Sequence, residues 1–250
     1  MKLQIVITSL LVAASAFAQN TAAPQSFALP VVPPGTNSAA YALPRQDWIQ
    51  RVMATNARAH EVAGDIQLVF DGDSITDFWQ GIGKQVWAER YGNLHAFDFG
   101  ISGDRTQNVL WRLGQGQVDG IHPKLIALMI GTNNMWSNSV EEIAEGVKAI
   151  VQEYQKRCPE AVILLQAIFP RGEKASDPLR AKVKAANEII SKLGDGKKIV
   201  YIDFGAKFLD AEGNMPREIM PDFLHPSAQG YQIWADAIQP LIDQYCPAKP

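Results

Sequence analysis

Short, strongly apolar runs recur along the chain, each closing on Gly, Asn or Asp, and most of them lead into a segment with helical spacing. The runs are Ile66 to Phe70, His95 to Phe99, Leu125 to Ile130, Ala161 to Ile168 and Lys198 to Ile202. A strand with one solvated face alternates apolar and polar residues, whereas a strand buried on both faces reads as a continuous apolar run. These runs are of the second kind. Alternating with helices, they predict an α/β sandwich of helices around a five-stranded parallel sheet.

The helical segments carry their own start signals. Ser139 and Glu142 form a capping box ahead of the stripe Val140, Ile143, Val147, Ile150, Val151 and Tyr154. Asp177 followed by Pro178 places a cap before a proline at the first helical position, ahead of Leu179, Val183, Ala186, Ile190 and Leu193. Ser227 opens a last helix with Tyr231, Trp234, Ile238, Leu241, Ile242 and Tyr245 inward, and Gln46 to His60 has the spacing of an edge helix.

The pattern differs before residue 45. Met1-Lys2, an apolar stretch from Ile5 to Ala14 and the small-residue site Ala16-Phe17-Ala18 make residues 1–18 read as a secretory signal peptide. Residues 19–44 contain Pro24, Pro30, Pro33, Pro34 and Pro44 without a charged side chain, the composition of an irregular leader. The folded domain is expected over 45–250, in a secreted or periplasmic protein. No transmembrane segment is expected, because no apolar run reaches the roughly 18 to 20 residues that a spanning helix needs.

Charge narrows the partners. Lys and Arg number 23 against 26 Asp and Glu, a net charge of −3, with no basic cluster to neutralise a phosphate backbone. Nucleic acid is therefore not an expected partner. Cys158 and Cys246 both follow the end of a predicted helix and both precede Pro, so in an oxidising compartment they are expected to pair. Oligomeric state is open to the sequence, a homodimer included.

In an open parallel sheet, ligands bind beyond the carboxyl ends of the strands. The residues there are Asp71-Gly72-Asp73-Ser74, Gly100-Ile101-Ser102-Gly103, Gly131-Thr132-Asn133-Asn134 and, after a longer loop, Asp222-Phe223-Leu224-His225. Acyl transfer by a serine needs a base, a carboxylate that orients the base, and donors aimed at the developing oxyanion. Ser74 is the candidate nucleophile, and Asp222 and His225, three residues apart, are the candidate orienting pair. The Ser74 and Gly103 N–H groups and the Asn133 side-chain amide supply the oxyanion donors. Singly, each has an ordinary structural reading: a helix cap, a turn glycine, a turn asparagine or a hydrogen-bonded histidine. His60, His95 and His122 keep that reading, since none follows a strand.

The blocks Gly72-Asp73-Ser74, Gly100-x-x-Gly103, Gly131-x-Asn133 and Asp222-x-x-His225 resemble the SGNH branch of the GDSL esterases in order and spacing over roughly residues 66–245. FGISGDRTQNVLWRL, IGTNN, IFPRGEK and DFLHPSAQGY look especially like the catalytic subunits of type I platelet-activating-factor acetylhydrolase. The resemblance implies a flavodoxin-like three-layer SGNH hydrolase fold and a short-chain acetyl esterase. It implies Ser74, His225 and Asp222 as catalytic residues, Ser74, Gly103 and Asn133 as oxyanion hole, and neither cofactor nor metal. With an export signal, the expected substrate is a carbohydrate or other small ester.

Two other readings compete. Val69 to Thr76 also resembles the opening of a Mg²⁺-dependent haloacid-dehalogenase phosphatase, with Asp71 as nucleophile and Asp73 as acid/base. That reading leaves Asp222 and His225 unexplained. The other is a non-catalytic carbohydrate-binding module of the same fold.

Overall fold

The computed structural model describes residues 30–247. The expected signal peptide and the first part of the leader lie outside the described residues. The sheet consists of β1 (Leu68–Gly72), β2 (Ala96–Asp98), β3 (Leu125–Met129), β4 (Val162–Gln166) and β5 (Ile199–Ile202), in spatial order β2-β1-β3-β4-β5. All four pairings are parallel, with Leu68 opposite both Ala96 and Leu125, Leu125 opposite Val162, and Ile163 opposite Ile199. The helices are α1 (Ile49–Glu61), α2 (Ser74–Asp77), α3 (Lys84–Tyr91), α4 (Thr106–Gly114), α5 (Val140–Arg157), α6 (Pro178–Ile190) and α7 (Ala228–Tyr245).

The strands divide their side chains between two cores by simple alternation. Val69, Ile126, Leu128, Ile163 and Leu165 pack with Ala59 of α1, Val109 and Leu113 of α4, Ile143, Val147 and Ile150 of α5, and Val183 and Ala186 of α6. Leu68, Phe70, Leu125, Ala127, Met129 and Leu164 face the other way, onto Val86 and Tyr91 of α3 and Tyr231, Trp234, Ile238 and Ile242 of α7. A period of two and burial on both faces are the signature of a three-layer sandwich. The capping box of Ser139 with Glu142 and the caps from Asp177 and Ser227 form as the sequence predicts.

The same two-sided arrangement corrects the expected disulfide. Cys158 ends α5 and is buried in the first core, whereas Cys246 ends α7 and is buried in the second. Both lie at the helix C-termini, but the sheet stands between them, and both thiols are free.

The leader is also shorter than its composition suggests. Asn37 caps a short turn at Ser38–Ala40 and its side chain donates to the Glu142 carbonyl at 3.0 Å. The Ala39 carbonyl accepts from Thr106 Oγ1 at 2.7 Å, and Leu43 exchanges hydrogen bonds with Gln107 and Asn108. Residues 37–44 are thus docked on α4 and α5 and belong to the folded unit. Satisfying backbone groups, and not apolar periodicity, holds them, so no hydrophobic pattern announces them.

The strand order reverses direction between β1 and β3. At such a switch point the connections leave toward opposite faces and open a crevice above the strand ends. Ser74 follows β1 and Asn133 follows β3, so this crevice is where the candidate residues meet.

Candidate active site

Ser74 is the first residue of α2, and Asp73 caps that helix by accepting the Ile75 N–H at 3.0 Å. The helix is held from behind, where the Tyr231 hydroxyl of α7 donates to the Ile75 carbonyl at 2.6 Å. Ser74 Oγ lies 2.8 Å from His225 Nε2, and His225 Nδ1 lies 2.6 Å from Asp222 Oδ2. The other carboxylate oxygen of Asp222 accepts the backbone N–H groups of His225 at 2.8 Å and Leu224 at 3.1 Å. Partial burial opposes ionisation of Asp222, but the ring and backbone donors of His225, together with Leu224, hold its carboxyl below the ordinary range. An ionised carboxylate only accepts, so Nδ1 carries the proton and Nε2 presents a lone pair to the serine.

The loop bearing Asp222 and His225 is braced. Phe223, between them, has φ +60°, a left-handed conformation that costs a non-glycine residue on the order of 1–3 kcal/mol. Its carbonyl accepts the Gly172 N–H at 2.9 Å, and Arg217 lies 4.2 Å over its ring. Phe78 packs against the imidazole, ring centroids 5.0 Å apart.

The glycine block is laid against α2. A Cβ at Gly100 would come within 2.9 Å of the Asp77 Cα, so only glycine permits this approach. Ile101 N–H donates to the Gly72 carbonyl at 3.2 Å, and Ser102 N–H donates to Asp77 Oδ2 at 3.0 Å. Gly103 has φ +81° and any side chain there would strike the Arg45 guanidinium, which itself donates to the Ser102 carbonyl at 2.7 Å. Asn133 is tied to this block: its amide nitrogen donates to the Asp104 carbonyl at 2.9 Å, leaving a second N–H. Asn134 instead turns inward, accepting from Thr106 N–H and donating to Gln107 and Asn138.

Beneath the site lies a buried polar network. Arg112 is 2% exposed and donates to Asp104 Oδ2 and to Asp71 Oδ1, each at 2.8 Å. Asp71 also accepts from the Gly72 N–H, Gln117 and Tyr154. Both its oxygens are therefore engaged by protein donors in the interior, which removes Asp71 as the nucleophile of a phosphatase. Asp73 is buried too, and desolvation pushes its carboxyl up to about 7 against the pull of the Ile75 N–H.

Ser74, His225 and Asp222 are thus brought into one hydrogen-bonded series, with Gly103 and Asn133 joined to each other through Asp104. Sequence reading missed Asp104, Arg112, Arg45, Phe78 and Arg171. Arg171 donates to the carbonyl and hydroxyl of Thr132 at 2.9 and 3.0 Å. An arginine inside IFPRGEK, directly after an apolar run, was the available signal. His60 bonds the Gly116 carbonyl at 2.9 Å and takes no part in the site.

A model of the GDSL-like lipase/acylhydrolase family matches residues 70–233. The platelet-activating factor acetylhydrolase IB subunit alpha2 of Rattus norvegicus is 38% identical over 178 residues, covering 71% of this chain and 76% of the relative. Among solved structures, a GDSL-like lipase from Bacteroides thetaiotaomicron superposes with a TM-score of 0.65 at 20% identity, covering 78% of this chain and 97% of its own. An acetylxylan esterase from Geobacillus stearothermophilus gives 0.56 at 20% identity, with coverage of 71% and 94%. The chain belongs to the GDSL-like lipase/acylhydrolase family, has the SGNH hydrolase fold and is a carboxylic ester hydrolase.

Proposed function

We propose that this hydrolase is an exported serine esterase that removes acetyl groups from carbohydrate or other small esters. The carrying observation is the unbroken series from Ser74 Oγ to His225 Nε2 at 2.8 Å and from His225 Nδ1 to Asp222 Oδ2 at 2.6 Å. Ser74 Oγ attacks the ester carbonyl carbon while its proton passes to His225 Nε2. The carbonyl oxygen becomes an oxyanion that accepts the N–H groups of Ser74 and Gly103 and the free amide N–H of Asn133. Collapse breaks the ester C–O bond, and the departing alcohol takes the proton from His225. Water then attacks the acetyl-serine, His225 accepts its proton and returns one to Ser74 Oγ, and acetate leaves. Asp222 stays ionised throughout and stabilises the imidazolium.

The acetyl assignment is supported by relatives whose names refer to acetyl esters, an acetylhydrolase subunit and an acetylxylan esterase. The loops around the site agree with a polar alcohol, since they carry Arg171, Lys174, Arg217 and Glu218. A cavity of about 460 Å³ lined by Ile168, Pro170, Val183 and Leu209 includes none of the residues given a catalytic role. Each buried methylene of a longer acyl chain contributes roughly 0.8 kcal/mol only where an apolar wall receives it. The test is kcat/KM for p-nitrophenyl acetate, butyrate, octanoate and palmitate. Acetate is expected to be the best substrate; a rise toward octanoate would overturn the short-acyl assignment.

A further inference from the structure

Trp136 is a large aromatic side chain left 72% exposed, three residues after Asn133. An isolated exposed tryptophan on a flexible loop would mean little. This one is held in place. The turn at Thr132–Asn134 is fixed by Arg171 on the Thr132 carbonyl, and Lys182 donates to the Met135 carbonyl at 2.5 Å. Beyond the tryptophan, the backbone N–H groups of Ser137 and Asn138 both return to the Asn134 carbonyl at 3.0 Å. The Arg171 guanidinium also lies 5.6 Å from the indole centroid, so one side of the ring is backed by a cation.

The loop continues directly from Asn133, the donor proposed for the oxyanion. Arg171 joins the tryptophan to the residue before Asn133, donating to the carbonyl and hydroxyl of Thr132. On the Gly103 side a cavity of about 450 Å³ is lined by Arg45, Arg105, Gln107 and Asn108, and Arg105 bonds the Ser137 hydroxyl at 3.1 Å. An exposed aromatic face next in sequence to Ser137, which Arg105 of that cavity bonds, suits one class of ligand. The C–H face of a pyranose ring is apolar and carries slight positive charge, which matches the negative face of an indole, while its hydroxyls need polar partners at the ring edge.

The geometry points to Trp136 as the platform on which the sugar ring of an acetylated oligosaccharide stacks, with the Arg105 side of the cleft receiving its hydroxyls. This inference rests on the carbohydrate acetylesterase reading above and names the residue that would give it preference for sugars. A fixed, solvent-facing ring costs little conformational entropy to engage, so its contribution falls on substrate binding.

The test compares wild type, Trp136→Ala and Trp136→Phe on O-acetylated xylotriose and on ethyl acetate, which has no ring to stack. Trp136→Ala is expected to lower kcat/KM on the acetylated trisaccharide about tenfold, through KM, an aromatic contact of roughly 1.4 kcal/mol. The loss on ethyl acetate should be several times smaller, and Trp136→Phe should recover most of the sugar activity. Equal losses on both substrates, or none on the trisaccharide, would overturn the platform and leave the esterase assignment standing. Wild type that cleaves ethyl acetate but not acetylated xylotriose would overturn the carbohydrate reading and the platform with it. If no acetate were cleaved, binding of xylotriose to wild type and Trp136→Ala by calorimetry would still decide the platform, with weaker binding by the variant expected and equal binding contradicting it.

Discussion

The side-chain amide of Asn133 donates to the backbone carbonyl of Asp104 at 2.9 Å, and the Asp104 carboxylate accepts Arg112 Nε at 2.8 Å. Arg112 reaches in turn to Asp71 at 2.8 Å, within the strand that delivers Ser74. The turn after β3 and the junction after β1 are therefore registered through one buried guanidinium, and the donor proposed for the oxyanion inherits its aim from that network. A donor fixed before the reaction starts needs no reorganisation when charge develops.

Asn133→Ala removes that donor. Because the interaction strengthens only as the oxyanion forms, kcat should fall on the order of 10² to 10³ with little change in KM. Steady-state kinetics on an aryl acetate, with the fold checked by circular dichroism, measures this. A normal kcat in the folded variant would remove Asn133 from the oxyanion hole.

Arg112→Met leaves Asp71 and Asp104 in the interior without their shared cation. Removing one partner of a buried charge network costs about 3–5 kcal/mol, since the remaining charge is uncompensated. The urea midpoint of the variant should drop accordingly. A change below about 1 kcal/mol would mean that the two carboxyls shed their charge at no cost, contrary to their paired state.

Most of the frame was legible because it rests on side-chain periodicity. The apolar runs ending at Phe70, Ile130 and Ile202 contain strands because both faces are covered, and the caps at Ser139, Asp177 and Ser227 are local chemistry that a sequence carries openly. Ser74, His225 and Asp222 were singled out because strand ends converge at a switch point, and the structure places them within hydrogen-bond distance of one another. What was hidden is through-space. Arg112 gave no local signal, Asp71 read as a rival candidate nucleophile, and nothing local says that they pair with each other. The Cys158 and Cys246 expectation failed for the same reason: each does end a helix, but their opposite faces depend on which side each helix crosses.

Asp73 makes a pH-dependent prediction. Burial raises its carboxyl to about 7, above the ordinary unfolded value of ~4. A raised carboxyl pKa means that the native state holds a proton the unfolded chain has released. Its stabilising contribution is therefore full below pH ~4 and is lost as pH rises toward 7. Asp73→Asn, neutral at every pH and still able to cap Ile75, should gain Tm over wild type progressively between pH 4 and 7.5. Two further raised carboxyls, half-buried Asp98 at about 8 and buried Asp104 at about 6, are present in both proteins. A difference that stays constant with pH would show that Asp73 titrates normally.

The central claim is that Ser74, activated by His225, forms the acyl-enzyme. Its most direct test is turnover of p-nitrophenyl acetate by Ser74→Ala and His225→Ala beside wild type. Each substitution should reduce kcat by many powers of ten, about 10⁶ in a well-studied serine protease, because the two side chains act as one unit. Residual activity of Ser74→Ala within tenfold of wild type would contradict the account and move the nucleophile elsewhere.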